Sequence, residues 1–298
     1  MAAVKCFSKP VAAILGALAI ASTAPAAEIA APFVPTAPSV VERMLEIAKV
    51  GPGDYVIDLG SGDGRIIITA ATKFGARGFG VDIDPKLVAQ AKANARAAGV
   101  SDRAEFFERD LFATDLSPAS VVTIYLLKRA TMKLRSMLYE LKPGTRIVSH
   151  AASMGEWKPD HFEMLEVKDK VRADAPSKTY IHYWVVPAKV AGQWRWSLPV
   201  GTRTHHYELD ASQDFQMLSG TLRVGGKEIK ITNSRLEGER MTLAFTAEVD
   251  GQPLQHRLVG RVSGNSLLGT ASVGERASAE WKASRVAAPE AKPVSSSR

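Results

Sequence analysis

The stretch Val56-Ile57-Asp58-Leu59-Gly60-Ser61-Gly62-Asp63-Gly64-Arg65 constrains this chain more than any other. Tyr55 to Leu59 is a nearly unbroken run of apolar and β-branched residues, the pattern of a parallel strand covered on both faces. Gly60, Gly62 and Gly64 follow, and without a Cβ they let the backbone turn sharply and come close to a ligand. A helix is predicted from near Arg65 through Ile66, Ile67, Ile68, Ala70 and Ala71, with Gly75 at its stop. A second apolar strand, Gly78 to Val81, ends in Asp82, close to the spacing at which an acid grips ribose hydroxyls. Strand, glycine turn, helix, strand and acid in this order describe a nucleoside-binding βαβ unit.

Detail decides which nucleoside. A dinucleotide fingerprint reads Gly-x-Gly-x-x-Gly, and its last glycine is Arg65 here. An acid, Asp58, stands ahead of the glycines, and Asp63 lies among them. Two carboxylates repel a pyrophosphate and attract a ligand that carries an ammonium and a sulfonium. The expected cofactor is therefore S-adenosylmethionine (SAM) and not NAD.

The motifs extend beyond the turn. Val34-Pro35-Thr36, Asp58 to Arg65, Val81-Asp82-Ile83-Asp84-Pro85, Arg109-Asp110-Leu111-Phe112, Tyr125-Leu126-Leu127, Lys133-Leu134-Arg135 and Trp157-Lys158-Pro159-Asp160 together resemble the class I SAM-dependent methyltransferases. Residues 36 to 188 carry the likeness. It points to the small protein-lysine methyltransferases of archaea and bacteria and to the mitochondrial enzyme that modifies the c subunit of ATP synthase. The resemblance implies a doubly wound, Rossmann-like sheet of seven strands. It implies that Asp58 and the turn Gly60, Ser61, Gly62 and Gly64 hold the methionine end of SAM, that Asp82 takes the ribose hydroxyls, and that Asp110, beside Leu111 and Phe112, accepts from the adenine amine. Asp110 also suits a plain loop cap, and Ile83 suits either the adenine face or the core.

On the acceptor side the resemblance implies that Pro35, Thr36, Tyr125 and Leu127 approach the methyl group. Tyr125 has two readings, a guide for an amine through its hydroxyl or ring face and an ordinary core tyrosine. The chain departs from its likeness where the relatives carry acids, in His150-Ala151-Ala152-Ser153-Met154-Gly155, with Ala151 and Ser153 at the expected acidic positions. Thr131 and Lys128 replace an expected Asn and Pro. An acid there would attract a lysine ammonium and help position it. The expected function is transfer of a methyl group to an acceptor amine, foremost a protein lysine. The alternatives are an exported scaffold that keeps the fold with weakened catalysis, and a methyltransferase for a small molecule or a lipid-borne amine.

The 298 residues suffice for two domains. Strands are expected at Ala104 to Glu108, Val121 to Leu126, Thr145 to Ser149, His161 to Val167 and Thr179 to Val186, alternating with helices. One helix is expected to open on a capping box, Ser39-Val40-Val41-Glu42, and another to run from Asp84-Pro85 toward Ala98. After Pro187 the texture changes to short alternating segments broken by Gly225-Gly226, Asp250-Gly251, Gly264-Asn265 and Gly274-Glu275. This describes an antiparallel meander of about six to eight strands, a barrel or a sandwich. The expected organisation is an export signal over 1–26, an extended entry segment over 27–38, the methyltransferase domain over 39–188, the β domain over 189–285 and a disordered tail over 286–298.

The export signal rests on Lys5 and Lys9 ahead of the short apolar run Val11 to Ile20, followed by Ala24-Pro25-Ala26. The expected location is the periplasm, with an uncleaved anchor as the alternative. Cleavage would remove the one cysteine, Cys6, and lower the formal charge from +7 to +5 through the loss of Lys5 and Lys9. A modest basic cluster, Lys128, Arg129, Lys133 and Arg135, suits an acidic partner, a membrane-associated substrate with anionic head groups, or a plain solvated helix face. No basic run is interleaved with aromatics, so nucleic-acid binding is not favoured. His205 and His206 point to opposite faces of a strand and leave His256 without a chelating pair, so no metal site is expected. The five tryptophans are expected to pack between domains or to cap the β module.

Overall fold

The computed structural model describes residues 33–275 and 278–287, apart from the side chains at 233 and 287. The expected export signal over 1–26 lies outside the described residues, as does the tail after 287. Among the described residues no helix is long and apolar enough to cross a membrane.

The first domain is a seven-stranded sheet in the order β3-β2-β1-β4-β5-β7-β6. Its parallel strands are β1 (Tyr55–Leu59), β2 (Arg77–Asp82), β3 (Ala104–Glu108), β4 (Val121–Ile124) and β5 (Arg146–His150). β7 (Lys178–Val185) alone is reversed, lying antiparallel between β5 and the edge strand β6 (His161–Glu166). Alternation within β1 sends Val56 to one face and Ile57 to the other. On the Val56 face the apolar sides of α1 (Pro38–Ile47), α2 (Arg65–Lys73) and α3 (Pro85–Ala97) are buried. The Ile57 face is covered by α4 (Lys128–Tyr139), through Ala130, Leu134 and Leu138.

The first helix corrects the expected capping box. Ala37 is its N-cap and Pro38 its first residue, so Ser39 lies inside the first turn and caps nothing. Proline's fixed φ suits that first position. The missing cap comes from a distant loop: Asp169 accepts from the Ser39 N–H at 2.8 Å and from the Ser39 hydroxyl. Glu42 pairs with Lys73 of α2 instead. Loss of a capping carboxylate typically costs about 1 kcal/mol. Asp169→Ala is expected to lower stability by that amount in a thermal melt, and an unchanged midpoint would show that the cap contributes nothing.

The second domain is a closed antiparallel barrel of eight strands. They are β8 (Gly192–Val200), β9 (Arg203–Asp214), β10 (Met217–Val224), β11 (Lys227–Glu237), β12 (Arg240–Val249), β13 (Gln252–Ser263), β14 (Ser266–Val273) and β15 (Ala279–Ala287). The last strand includes Val286, which the sequence pattern places in the tail. Inward residues alternate with outward ones, and Trp194, Trp196, Tyr207, Leu243 and Trp281 fill the interior. Each of the four glycine signals stands at a hairpin, while the turns at Gly201, Phe215 and Gly238 carry weaker signals.

Aromatic rings join the domains. Phe215, at the β9–β10 turn, stacks on Trp157 with centroids 5.6 Å apart and planes 4° from parallel. Tyr139 at the end of α4 meets both rings edge-on. Gln216 donates to the Lys158 carbonyl at 2.6 Å, and Arg235 pairs with Asp160 at 2.5 Å. Trp157 and Trp184 pack in the junction region, while Trp194, Trp196 and Trp281 fill the barrel interior instead of capping it.

Candidate active site

A cavity of about 410 Å³ opens at the C-terminal ends of β1, β2 and β4, where open α/β sheets bind their ligands. The elements explain its contents. β1 delivers Asp58 and then turns at Gly60; β2 delivers Asp82; the 3₁₀ turn after β3 presents Asp110 and Leu111; the chain after β4 brings Tyr125. Ser61, Ile83, Pro35 and Thr36 also line it.

Gly62 and Gly64 do not line the cavity. Gly62 has φ +53°, and a Cβ there would lie 2.3 Å from the Phe33 ring, which covers the turn. Gly64 has φ +83° and caps α2; a Cβ would sit 2.6 Å from Phe106 and 2.9 Å from Ala91 of α3. Both glycines permit close packing around the turn. Leu127 is also outside, half exposed at the head of α4.

The carboxylates differ in their surroundings. Asp82 accepts from the Gly62 N–H at 2.9 Å and the Asp84 N–H at 3.0 Å, which ties the glycine turn to β2. Asp110 accepts from the Phe112 N–H at 2.8 Å, as a loop cap does, and also lines the cavity. Asp63 is held by Arg65 through bonds of 2.9 and 2.6 Å, so its charge is largely offset. That corrects the repulsion expected of it. Arg65 also donates to the Thr36 carbonyl at 2.5 Å and so fastens the entry segment over the site.

Asp58 is buried, and burial pushes its carboxyl up to about 7; a hydrogen bond from Thr123 at 2.6 Å opposes this, while Asp82 and Asp63 raise it further. Such a group lacks a cation. Ser61 adds a buried hydroxyl with no protein partner. A ligand bearing an ammonium, a sulfonium and ribose hydroxyls supplies what both groups lack, so the residues present fit SAM.

A second cavity of about 400 Å³ adjoins the first, and Val34, Pro35 and Tyr125 belong to both. Its far side is formed by β7 and the 168–177 loop, with Lys170, Arg172, Lys178 and Tyr180. His150, which no sequence motif singles out, lies in this cavity. It packs against Tyr125 with centroids 3.9 Å apart and planes tilted by 32°. Its Nδ1 lies 3.4 Å from the Thr36 hydroxyl and its Nε2 2.8 Å from that of Thr179. Burial lowers its pKa to about 4, so the ring is neutral near pH 7. Ala151, next in the chain, is held at φ +64°, an uncommon conformation for a residue with a Cβ. Among the described residues, none beyond Tyr180 lines either cavity.

A doubly wound sheet with this acid-glycine-acid site defines a class I SAM-dependent methyltransferase, and SAM is its cofactor. A family profile described as the ANTKMT methyltransferase domain matches residues 58–161. A protein-lysine N-methyltransferase of Saccharolobus islandicus is 47% identical over 140 residues, which cover 46% of this chain and 86% of that protein. The human lysine N-methyltransferase of the ATP synthase c subunit is 33% identical over 135 residues, 45% of this chain and 57% of that protein's own length. Among solved structures, an RNA methyltransferase from Salinibacter ruber bound to S-adenosyl-L-homocysteine is 47% identical, covering 53% of this chain and 96% of that one, with a TM-score of 0.47. The chain belongs to the family of the ANTKMT methyltransferase domain.

Proposed function

We propose that this methyltransferase acts on the ε-amine of a protein lysine. The observation that carries the reading is the second cavity, which meets the cofactor cavity at Pro35 and Tyr125 and is open to a long aliphatic arm. Val34, Pro35, Val40 and Val167 give it apolar walls suited to a lysine stem. The names of the archaeal and human relatives support the same acceptor.

When bound, SAM supplies an activated methyl group to the acceptor's lone pair. The chain's own residues hold the two partners in line and see to the amine's proton. An ammonium has no lone pair, so the acceptor must arrive neutral. The acids expected at Ala151 and Ser153 are absent, and the cavity carries Lys170, Arg172 and Lys178 instead. Positive neighbours and burial both lower an amine's pKa and favour the neutral nucleophile. His150, neutral near pH 7, holds the Thr36 and Thr179 hydroxyls through its two ring nitrogens and so fixes the wall that Tyr125 shares with the cofactor cavity.

The test is incubation of the chain with isotopically labelled SAM and lysine-containing peptides, followed by mass spectrometry. Label on lysine Nζ is the expected result. Label confined to a small molecule or another residue type, with SAM binding intact, would overturn the acceptor. His150→Ala is expected to slow transfer about tenfold while SAM affinity stays within twofold, since it removes the ring that positions Thr36, Tyr125 and Thr179 around the acceptor path.

A further inference from the structure

The outer face of β6 and β7 carries an apolar ledge. β6 is an edge strand, and its alternation sends Glu163 and Leu165 toward α1, where Glu163 pairs with Arg43 at 2.8 Å. Phe162 and Met164 point the other way. On that side α4 covers the middle of the sheet, and no helix follows β6. Phe162 is 53% exposed, Met164 54% and Tyr180 45%. Phe162 stacks on Tyr180 at 5.6 Å and 18°, and Met164 is the cross-strand partner of Tyr180. Single exposed apolar residues are ordinary; three large ones in contact on an edge strand mark a surface that something covers.

Continuity and charge point to the occupant. Tyr180 lines the acceptor cavity as well as the ledge, and Lys178 shares its face of β7, opposite Glu166 of β6. The cavity's four charged residues are three bases and one acid, and that acid, Asp174, is tied to Arg172 by bonds of 3.1 and 2.6 Å. A surface that is apolar on one side and positive beside the reactive opening matches a chain that is apolar on one side and acidic near its lysine.

We propose that Phe162, Met164 and Tyr180 dock the acceptor polypeptide, laying its apolar side chains on the ledge and the carboxylates next to its target lysine against Lys170. This inference rests on the lysine reading above. Specificity then comes from the residues flanking the lysine, which the ledge reads before the amine reaches Tyr125.

The experiment uses three fluorescent peptides with one lysine each. The first carries leucines at alternate positions and glutamates beside the lysine; the second has serines for the leucines; the third has arginines for the glutamates. Binding is read by anisotropy in the presence of S-adenosyl-L-homocysteine, and transfer by kcat and KM. The first peptide is expected to be preferred at least about tenfold over both others. Phe162→Ser with Met164→Ser should raise KM for it about tenfold and weaken anisotropy binding to match, with kcat within twofold. A melt and a SAM titration check that fold and cofactor cavity are intact. Leu268→Ser, an exposed barrel residue, serves as the surface control. Equal use of the three peptides, or a double variant with unaltered KM, would overturn the ledge while leaving lysine as the acceptor. Wild-type protein that binds SAM and labels no lysine in any peptide would overturn the acceptor reading and the ledge with it.

Discussion

Asp82→Ala is expected to weaken SAM binding at least about a hundredfold in a calorimetric titration, equivalent to roughly 2.7 kcal/mol. The size follows from two losses. The ribose hydroxyls lose a charged acceptor, and hydrogen bonds to charged groups contribute about 1.5–3 kcal/mol each. The Gly62 and Asp84 N–H groups lose the carboxylate that ties the turn to β2. The Gly60–Gly64 turn then has fewer constraints, and part of the binding energy goes into ordering it. Asp115→Ala, in an exposed loop where that carboxylate accepts from Ser117, removes the same charge elsewhere and should leave the titration unchanged. Binding by Asp82→Ala within threefold of the unaltered chain would mean that Asp82 is a strut of the turn and not a ligand contact.

How much of this site could be read from the residues alone depends on sequence distance. The unit from Tyr55 to Asp82 is continuous in the chain, and its strand, turn and helix rules are local; it stands where the pattern put it. The barrel was legible for a similar reason, since period-two alternation and glycine turns are local signals, and only its closure depends on β8 meeting β15. What the sequence concealed is the set of long-range pairs. His150 draws its meaning from Thr36, 114 residues earlier, and Thr179, 29 later. The cap on α1 comes from Asp169, 130 residues beyond Ser39, so a good local capping box lost to a tertiary partner. Asp63 looked like bare negative charge because the arginine two residues on can curl back or point away, and no spacing rule decides which. Gly62 and Gly64 also pack against Phe33 and Phe106, distant in sequence, and no local rule reveals those partners.

The unaltered chain is also expected to bind SAM more tightly as pH rises from about 5.5 to 7.5, by roughly tenfold per unit below 7, and Asp58 is the cause. In the ligand-free protein burial holds this carboxyl at about 7, far above an aspartate's usual value near 4. The sign of the effect on folding follows. Ionising Asp58 costs more in the folded than in the unfolded chain, so its contribution to stability is complete below about pH 4 and is lost as pH rises through about 7. A cation beside the carboxylate removes that cost and draws its pKa down. Binding below pH 7 must therefore release a proton, and acid opposes it. His150, at about 4, lies outside this window and contributes no slope there. The ligand's own α-amine titrates near 8, so the decisive comparison is with Asp58→Asn across the same range. That variant keeps a polar group of the same shape without the charge. Its affinity should match or fall below the unaltered chain's value at pH 5.5 and show no rise toward 7.5, leaving a gap of at least about tenfold at the upper end. The increase in melting temperature caused by SAM should follow the same course, larger at pH 7.5 than at 5.5 for the unaltered chain and flat for the variant. Parallel pH curves for the two proteins would mean that Asp58 does not face the cation, and the methionine end of SAM would then have to be sought against Asp110 or Asp84 on the other side of the cavity.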